Sequence, residues 1–368
     1  MLGKKRIYAG ITALVMGIVL MASGCGNMGK TMNTTTLFAM DTVMEIQIAG
    51  SEELLSEAEQ RIRDIEKKVS VTDKDSEIYK LNDECSAKLS EDTAKIMDGA
   101  LKMCDETAGA LDITIYPVLR EWGFTTGEYK VPDETRLEEL LEYVDYSKVE
   151  LSFDERLIAD DASGYISGEA ENADESVACC SIPENTKVDL GSVTKGYTSG
   201  VLSDFFKEKG VKSGLINLGG NVQCIGSKSN GQPWNVAIKS PFKDSDSKIF
   251  GILKASDVAV ITSGGYERFF EEAGETYWHI LDPKTGRPAR NGLVSVTIVG
   301  KDALMCDALS TALFVKGLDG AIDYYKNNDD FDMILITEDG EAYISDGIAD
   351  SFSLSSEYYN TSLHVVSR

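Results

Sequence analysis

A nearly unbroken apolar run at residues 7–22, preceded by Lys4, Lys5 and Arg6, constrains everything that follows it. Its roughly 16 residues fall short of the ~20 that a helix needs to cross a bilayer, and the basic flank is that of a secretory signal. Residues 21–25 (MASGC) set small side chains in front of Cys25, as in a bacterial lipobox, where the cysteine is lipidated and becomes the new N-terminus. The expectation is a signal peptide at 1–24, lipidation at Cys25 and a flexible tether at 25–36, rich in Gly, Asn, Thr and Met. The folded part is then extracytoplasmic and lipid-anchored to the outer leaflet of the cell membrane.

That folded part must bury its own core in water. The chain has 368 residues, 42% hydrophobic and 26% charged, which is the composition of a globular protein. Charge restricts its partners: 36 Lys plus Arg face 61 Asp plus Glu, a net charge of -25. Nucleic-acid binding calls for a basic patch, and no run of Lys/Arg supplies one, so no nucleic acid is expected. Phosphate ligands are compatible with such a chain only where a metal ion or a helix N-terminus supplies positive charge locally. Besides Cys25 there are six cysteines, at 85, 104, 179, 180, 224 and 306, irregularly spaced and without CxxC. Disulfides and free thiols are both open.

Alternation over residues 42–48 predicts a strand. Ser51 can cap a helix with Leu54, Leu55, Ala58, Ile62, Ile65 and Val69 on one face. Ser90 can cap a second, with Ala94, Met97, Leu101 and Cys104 inward, and a third is expected near 135–143. Residues 154–184 hold nine acids and one base and read as an acidic surface insertion. Beyond it, an extended 187–190 leads into a helix ending at Gly210. Strands are expected at 213–218, 234–239, 277–281 and 294–299, a helix at 302–316, and a hairpin over 332–345 turning at Asp339 and Gly340. Irregular alternation of strands and helices with frequent hairpins favours an α+β class, with mixed, mainly antiparallel sheets flanked by helices. One domain is expected over 37–350, followed by a tail at 351–368.

No P-loop, GxGxxG, HExxH, GxSxG or EF-hand loop occurs, and the two histidines, His279 and His364, exclude a multi-histidine zinc site. Three segments remain. In residues 189–197 (DLGSVTKGY) a Gly/Ser turn enters a helix whose N–H groups, with Lys195, can hold phosphate; a well-capped helix with a solvated lysine reads equally well. The second is residues 262–268 (TSGGYER) followed by 279–288 (HILDPKTGRP), where His279 precedes a turn-former, and such a histidine is either a core residue or a base. In residues 306–311 (CDALST) Asp307 and Thr311 share a helix face. They are either two oxygen ligands for a hard cation such as Mg²⁺ or a polar spot on an amphipathic helix.

Taken in order, nine segments resemble the ApbE family, the FAD:protein FMN transferases. They are 38–42 (FAMDT), 76–82 (SEIYKLN), 109–114 (GALDIT), 117–124 (PVLREWGF), 189–197, 217–221 (NLGGN), 262–264 (TSG), 279–286 (HILDPKTG) and 307–311 (DALST). The resemblance implies a T-fold-like ApbE-type domain. It implies Mg²⁺-dependent transfer of FMN from FAD, the substrate, to a Ser/Thr hydroxyl of an acceptor flavoprotein, a subunit of a membrane redox complex, with AMP released. The alternatives are an FAD pyrophosphatase giving FMN and AMP, and a flavin-binding lipoprotein without catalysis. The resemblance places Mg²⁺ on Asp307, Thr311 and the Ser192 carbonyl. It places FAD against Met40, Ala110, Leu111, Asp112, Asp189, Lys195, His279 and Ile280, with Thr72 where the family commonly has an aromatic. His279 matches the proposed base and, with Asp307, carries the catalytic assignment. Asp41 stands where the family often has Gly.

Overall fold

The computed structural model describes residues 32–154, 176–242 and 245–368. The expected signal peptide, Cys25, most of the tether and most of the acidic stretch lie outside the described residues. In chain order the elements are β1 (Asn33–Ala39), β2 (Thr42–Ile48), α1 (Glu52–Val69), α2 (Glu77–Glu84), β3 (Ser86–Ser90), α3 (Glu91–Glu106), α4 (Tyr116–Glu121), α5 (Glu134–Leu141), β4 (Glu150–Phe153) and β5 (Ser176–Ser181). They continue as α6 (Thr194–Glu208), β6 (Ser213–Leu218), β7 (Asn221–Gly226), β8 (Trp234–Lys239), β9 (Ile249–Ala255), β10 (Ala259–Gly264), β11 (Phe269–Glu272) and β12 (Glu275–Trp278). The last are β13 (Leu293–Gly300), α7 (Ala303–Asn327), β14 (Phe331–Thr337), β15 (Ala342–Ser345), β16 (Phe352–Leu354) and β17 (Leu363–Val366). The α+β class expected from the sequence is the class observed. By their contacts the described residues form two compact units: 32–61, 195–242, 245–280 and 289–368 the first, 62–154, 176–194 and 281–288 the second.

The first unit is built on a nine-stranded sheet in the order β1-β2-β6-β7-β10-β13-β14-β15-β17. Neighbours are antiparallel except β15 and β17, which run parallel. A three-stranded sheet, β16-β9-β8, covers one face; Trp234, Val236, Phe250 and Leu253 from it pack against Val260, Val299, Ile334 and Ile344. Helix α7 packs on β10, β13 and β14. Strands covered on both faces lose their polar alternation, which is why β13 and β14 are buried almost throughout. Strand β8 alternates buried and exposed along its length. In α7 the backbone breaks at Gly317 (φ 73°, ψ -177°), where a Cβ would stand 2.6 Å from Asn291 Cβ. The helix end expected at residue 316 is this break, and helical structure resumes beyond it to Asn327.

In the second unit β5 lies between β3 and β4, with α3 against β3 and β5. Trp122 is fully buried, and its Nε1 donates to Gly286 O at 2.7 Å, which ties the 281–288 segment into this unit.

Several expectations need correction. Residues 176–181, taken as part of the acidic insertion, form the central strand β5, with Val177, Ala178 and Cys180 buried. Residues 33–36, expected in the tether, belong to β1, which pairs with β2 along its whole length; threonine's branched side chain suits a pleated strand. The expected tail supplies β16 and β17. Ser90 holds the N-cap position of α3 but makes no capping bond, and its hydroxyl finds no partner. The strand expected at 277–281 ends at Trp278. Leu281 then pairs only as an isolated bridge with Pro288, whose ring lacks the N–H a ladder needs. All six cysteines are free thiols, Cys104, Cys180, Cys224 and Cys306 buried.

Candidate functional site

The first unit gathers Met40, Lys195, His279, Ile280, Asp307 and Thr311; Thr72, Ala110, Leu111, Asp112, Asp189 and Ser192 belong to the second. In the first unit the starts of α6 and α7 meet at Gly196. A Cβ there would overlap the Ala303 carbonyl oxygen and stand 2.6 Å from Asp307 Cβ. Only glycine allows this approach, and it brings the Gly196 N–H to Asp307 Oδ2 at 2.8 Å. The phosphate-holding role considered for the N–H groups of this helix start is therefore corrected at one position: the Gly196 donor is satisfied by the protein's own carboxylate. Asp307 is only 4% exposed. Burial raises its carboxyl above the usual range, against the pull of the Lys195 charge and the Gly196 N–H.

One turn along α7 stands Thr311, whose Oγ1 lies 3.3 Å from Ser263 Oγ at the end of β10. Ser263 also meets Ser310 Oγ at 2.7 Å, and Ser310 donates to the Asp307 carbonyl at 2.8 Å. Ser263 and Ser310 lie within the TSG and DALST segments, but neither was chosen as a site residue.

Three turns of the same unit add charge and shape. The β1–β2 turn has two residues, Met40 (φ 48°) and Asp41 (φ 58°), in the left-handed region that a primed hairpin turn requires. The β6–β7 turn is Gly219 and Gly220; a Cβ on Gly219 would overlap Thr42, so the two turns sit tightly together. Between β10 and β11 lie Tyr266, Glu267 and Arg268. Lys239 Nζ stands 5.0 Å over the Tyr266 ring. Crowding by protein atoms pushes the Glu267 carboxyl up to about 7 against Lys195, Lys239 and Arg268, although its side chain is open to solvent, which tempers that rise. Glu267 and Arg268 lie in the 262–268 segment noted in the sequence but were not chosen as site residues; Lys239 had no motif around it.

His279 follows β12 directly. Its N–H donates to Arg268 O at 3.2 Å, and its Nδ1 lies 3.2 Å from the same oxygen. Burial pushes the imidazole down to about 3, and the Arg268 and Lys195 charges push the same way, although the residue is only half-buried, which tempers the drop. The lowered value keeps the ring neutral well below the pH at which an ordinary imidazole takes a proton. Ile280 is buried, and its carbonyl accepts from Ala289 N at 3.0 Å.

In the second unit Asp112 is buried and uses its carboxylate internally. Oδ1 accepts from Thr114 N (2.8 Å) and Thr114 Oγ1 (2.5 Å), and Oδ2 accepts from Tyr146 N (3.3 Å). Burial raises its carboxyl, and these bonds oppose the rise. The side chain is thus a staple for its own loop, and Leu111 beside it is also buried. Asp189 Oδ1 accepts from Gly191 N at 2.7 Å, closing the turn that carries Ser192 into α6. Thr72 is exposed, in a turn whose N–H donates to Ser70 Oγ at 3.2 Å.

Among the described residues no three His, Cys, Asp or Glu side chains are gathered to hold a metal. A hydrated Mg²⁺ needs only one or two carboxylates plus substrate phosphates. The buried Asp307 carboxylate and the Thr311 hydroxyl have the hard-oxygen chemistry for that. Buried Asn221 also bears on Asp307, its side-chain amide holding the carboxyl down. The residues fit the ion.

A family model described as "ApbE family" matches residues 40–335. The FAD:protein FMN transferase of Haemophilus influenzae is 29% identical over 349 residues, covering 91% of this chain and 95% of that protein. The one from Vibrio cholerae is 32% identical over 292 residues, covering 78% and 80%. Among solved structures, the ApbE protein of Thermotoga maritima superposes with a TM-score of 0.75 at 28% identity, covering 87% of this chain and 99% of that one. The Vibrio cholerae flavin transferase ApbE gives 0.71 at 25% identity, covering 87% and 100%.

Gly196→Ala is expected to force α6 off α7 and to lower stability by about 1–3 kcal/mol, the range for overpacking; urea unfolding checks this, and an unchanged midpoint would show that the crossing can relax. His279 supplies a pH signature. Its folded pKa, about 3, lies below the ordinary 6.5, so between those values the unfolded chain binds a proton that the folded one does not, and stability falls as pH falls through that window. His279→Gln should therefore show a shallower loss of stability between about pH 7 and about pH 4 than the unsubstituted protein, measured by melts across the series.

Proposed function

The chain belongs to the ApbE family, and from that membership we infer that it transfers FMN from FAD to an acceptor protein. The observation that carries the reading is the buried Asp307 carboxylate, held by Gly196 N–H, with Thr311 one turn away and Lys195, Arg268 and His279 in the same unit. In the proposed reaction a Ser/Thr hydroxyl oxygen of the acceptor attacks the phosphorus that bears FMN. A new phosphate ester forms, the bond from that phosphorus to the bridging oxygen breaks, and AMP departs with the electron pair. Mg²⁺ on Asp307 and Thr311 would neutralise charge on the diphosphate. Lys195 adds a second positive charge, and His279 accepts the hydroxyl proton. A neutral imidazole is the accepting form, and anionic phosphates near Lys195 and Arg268 would offset the charges that depress its basicity.

Incubation of the protein with FAD, Mg²⁺ and a Ser/Thr-bearing acceptor domain should add an FMN-sized mass to the acceptor. Chelation should abolish the gain and Mg²⁺ restore it. Asp307→Ala should lower the rate by at least about 100-fold, the usual effect of removing one charge-stabilising group. No gain across several genuine acceptors would overturn the reading; AMP release at a comparable rate without acceptor would favour hydrolysis.

An extracytoplasmic, lipid-anchored location is proposed from Lys4 to Arg6, the apolar run and the MASGC sequence. Cys25→Ala should shift the protein from the membrane pellet to the soluble fraction after cell breakage. Retention in the pellet would argue against the anchor.

A further inference from the structure

We propose that Arg268 is the residue that positions His279, and that Asp41 sets where Arg268 stands. The proposal rests on the transferase reading, in which His279 takes the acceptor's proton. Strands β11 and β12 pair from Glu272 and Glu275 to Phe269 and Trp278. Arg268 and His279 are the next pair, and here one carbonyl oxygen receives two groups. The His279 main-chain N–H donates to Arg268 O, and the ring's Nδ1 lies 3.2 Å from the same atom. A carbonyl only accepts, so Nδ1 carries the hydrogen, and in the neutral ring Nε2 is the accepting nitrogen. The imidazole's tautomer and tilt therefore follow the position of residue 268.

Residue 268 is held from its side-chain end. The Arg268 guanidinium stands 3.7 Å from Asp41 Oδ2. Asp41 occupies the two-residue β1–β2 turn, left-handed at both positions and seated where Gly219 leaves no room for a Cβ. On the other side of the hairpin, Arg290 Nη2 donates to Thr276 O at 2.5 Å and its guanidinium lies 4.5 Å over the Trp278 ring. The hairpin that delivers His279 is thus braced by Arg290 on β12 and by the Arg268–Asp41 pair at the entry to β11. The Asp41 and Arg268 side chains are 82% and 41% exposed. A pair so exposed contributes little to stability, so its effect is read on the ring, and substituting either side chain leaves the core intact.

His364 lies on β17, far in sequence from the site, so a His364→Gln background leaves His279 as the one imidazole in the chain. Ring ¹⁵N spectra of that protein near neutral pH should show a protonated Nδ1 and an unprotonated Nε2. Asp41→Asn and Arg268→Gln should each shift the spectrum toward the Nε2–H form. They should lower kcat for FMN transfer about five- to tenfold, as loosened orientation does, while the KM for FAD moves by less than about twofold. Arg268→Lys should recover most of both. An unchanged ring spectrum in Asp41→Asn and Arg268→Gln would overturn the proposal. So would a raised KM with unchanged kcat, which would make Arg268 a substrate-binding group. If the unsubstituted protein transfers no FMN to any acceptor, the transferase reading fails, while the ring spectra still decide whether Arg268 orients His279.

Discussion

The contact between Gly196 and Asp307 is the constraint on which the first unit's chemistry depends. A carboxylate taken out of water is costly unless a donor or a cation compensates it. Here the compensation is an N–H from the first turn of α6, where backbone donors have no helical partner and the helix dipole favours negative charge. The bond forms because residue 196 has no side chain and the two helices close to backbone contact. Once Asp307 is fixed, Thr311 follows one turn later, and Ser310 and Ser263 link α7 to the end of β10.

Around that crossing the site is made from turns rather than from regular elements. The two-residue β1–β2 and β6–β7 turns and the β10–β11 loop carry Met40, Asp41, Glu267 and Arg268. Two of these residues hold left-handed backbone without being glycine, a conformation maintained by surrounding structure and concentrated at functional sites. The electrostatics are local as well. The chain carries a net -25, yet Lys195, Lys239 and Arg268 all bear on Glu267, and two of them bear on His279. An acidic protein can thus handle phosphates, because short-range cations in a confined site outweigh distant surface charge screened by solvent and salt.

The sequence was most legible where local physics decides structure. Strand β2, the Gly210 end of α6 and the hairpin turning at Asp339 and Gly340 follow from alternation, left-handed glycine and turn chemistry, and they stand where periodicity puts them. It was least legible where pairing is non-local. Strand β5 has no alternation of its own against an acid-rich background and is a strand because β3 and β4 flank it. Strands β16 and β17 are short segments that owe their conformation to β9 and β15. The candidate site divides in the same way: Asp307, Thr311, Lys195 and His279 could be chosen from their motifs, whereas Lys239 lies in none, and Ser263 and Arg268, though within noted segments, become relevant through proximity.

By itself the sequence determined the α+β class, the family and the residue types available for the chemistry, because ordered motifs and periodicity are properties of the chain alone. The tertiary structure decided how those residues are used. It turned Asp112 into a staple for its own loop and joined Gly196 to Asp307 across more than 100 positions. It also set the His279 ring beside the Arg268 carbonyl, where burial and neighbouring positive charge disfavour its protonated form. Burial, donor geometry and neighbouring charge set these roles, and all three come from residues that meet only when the chain has folded.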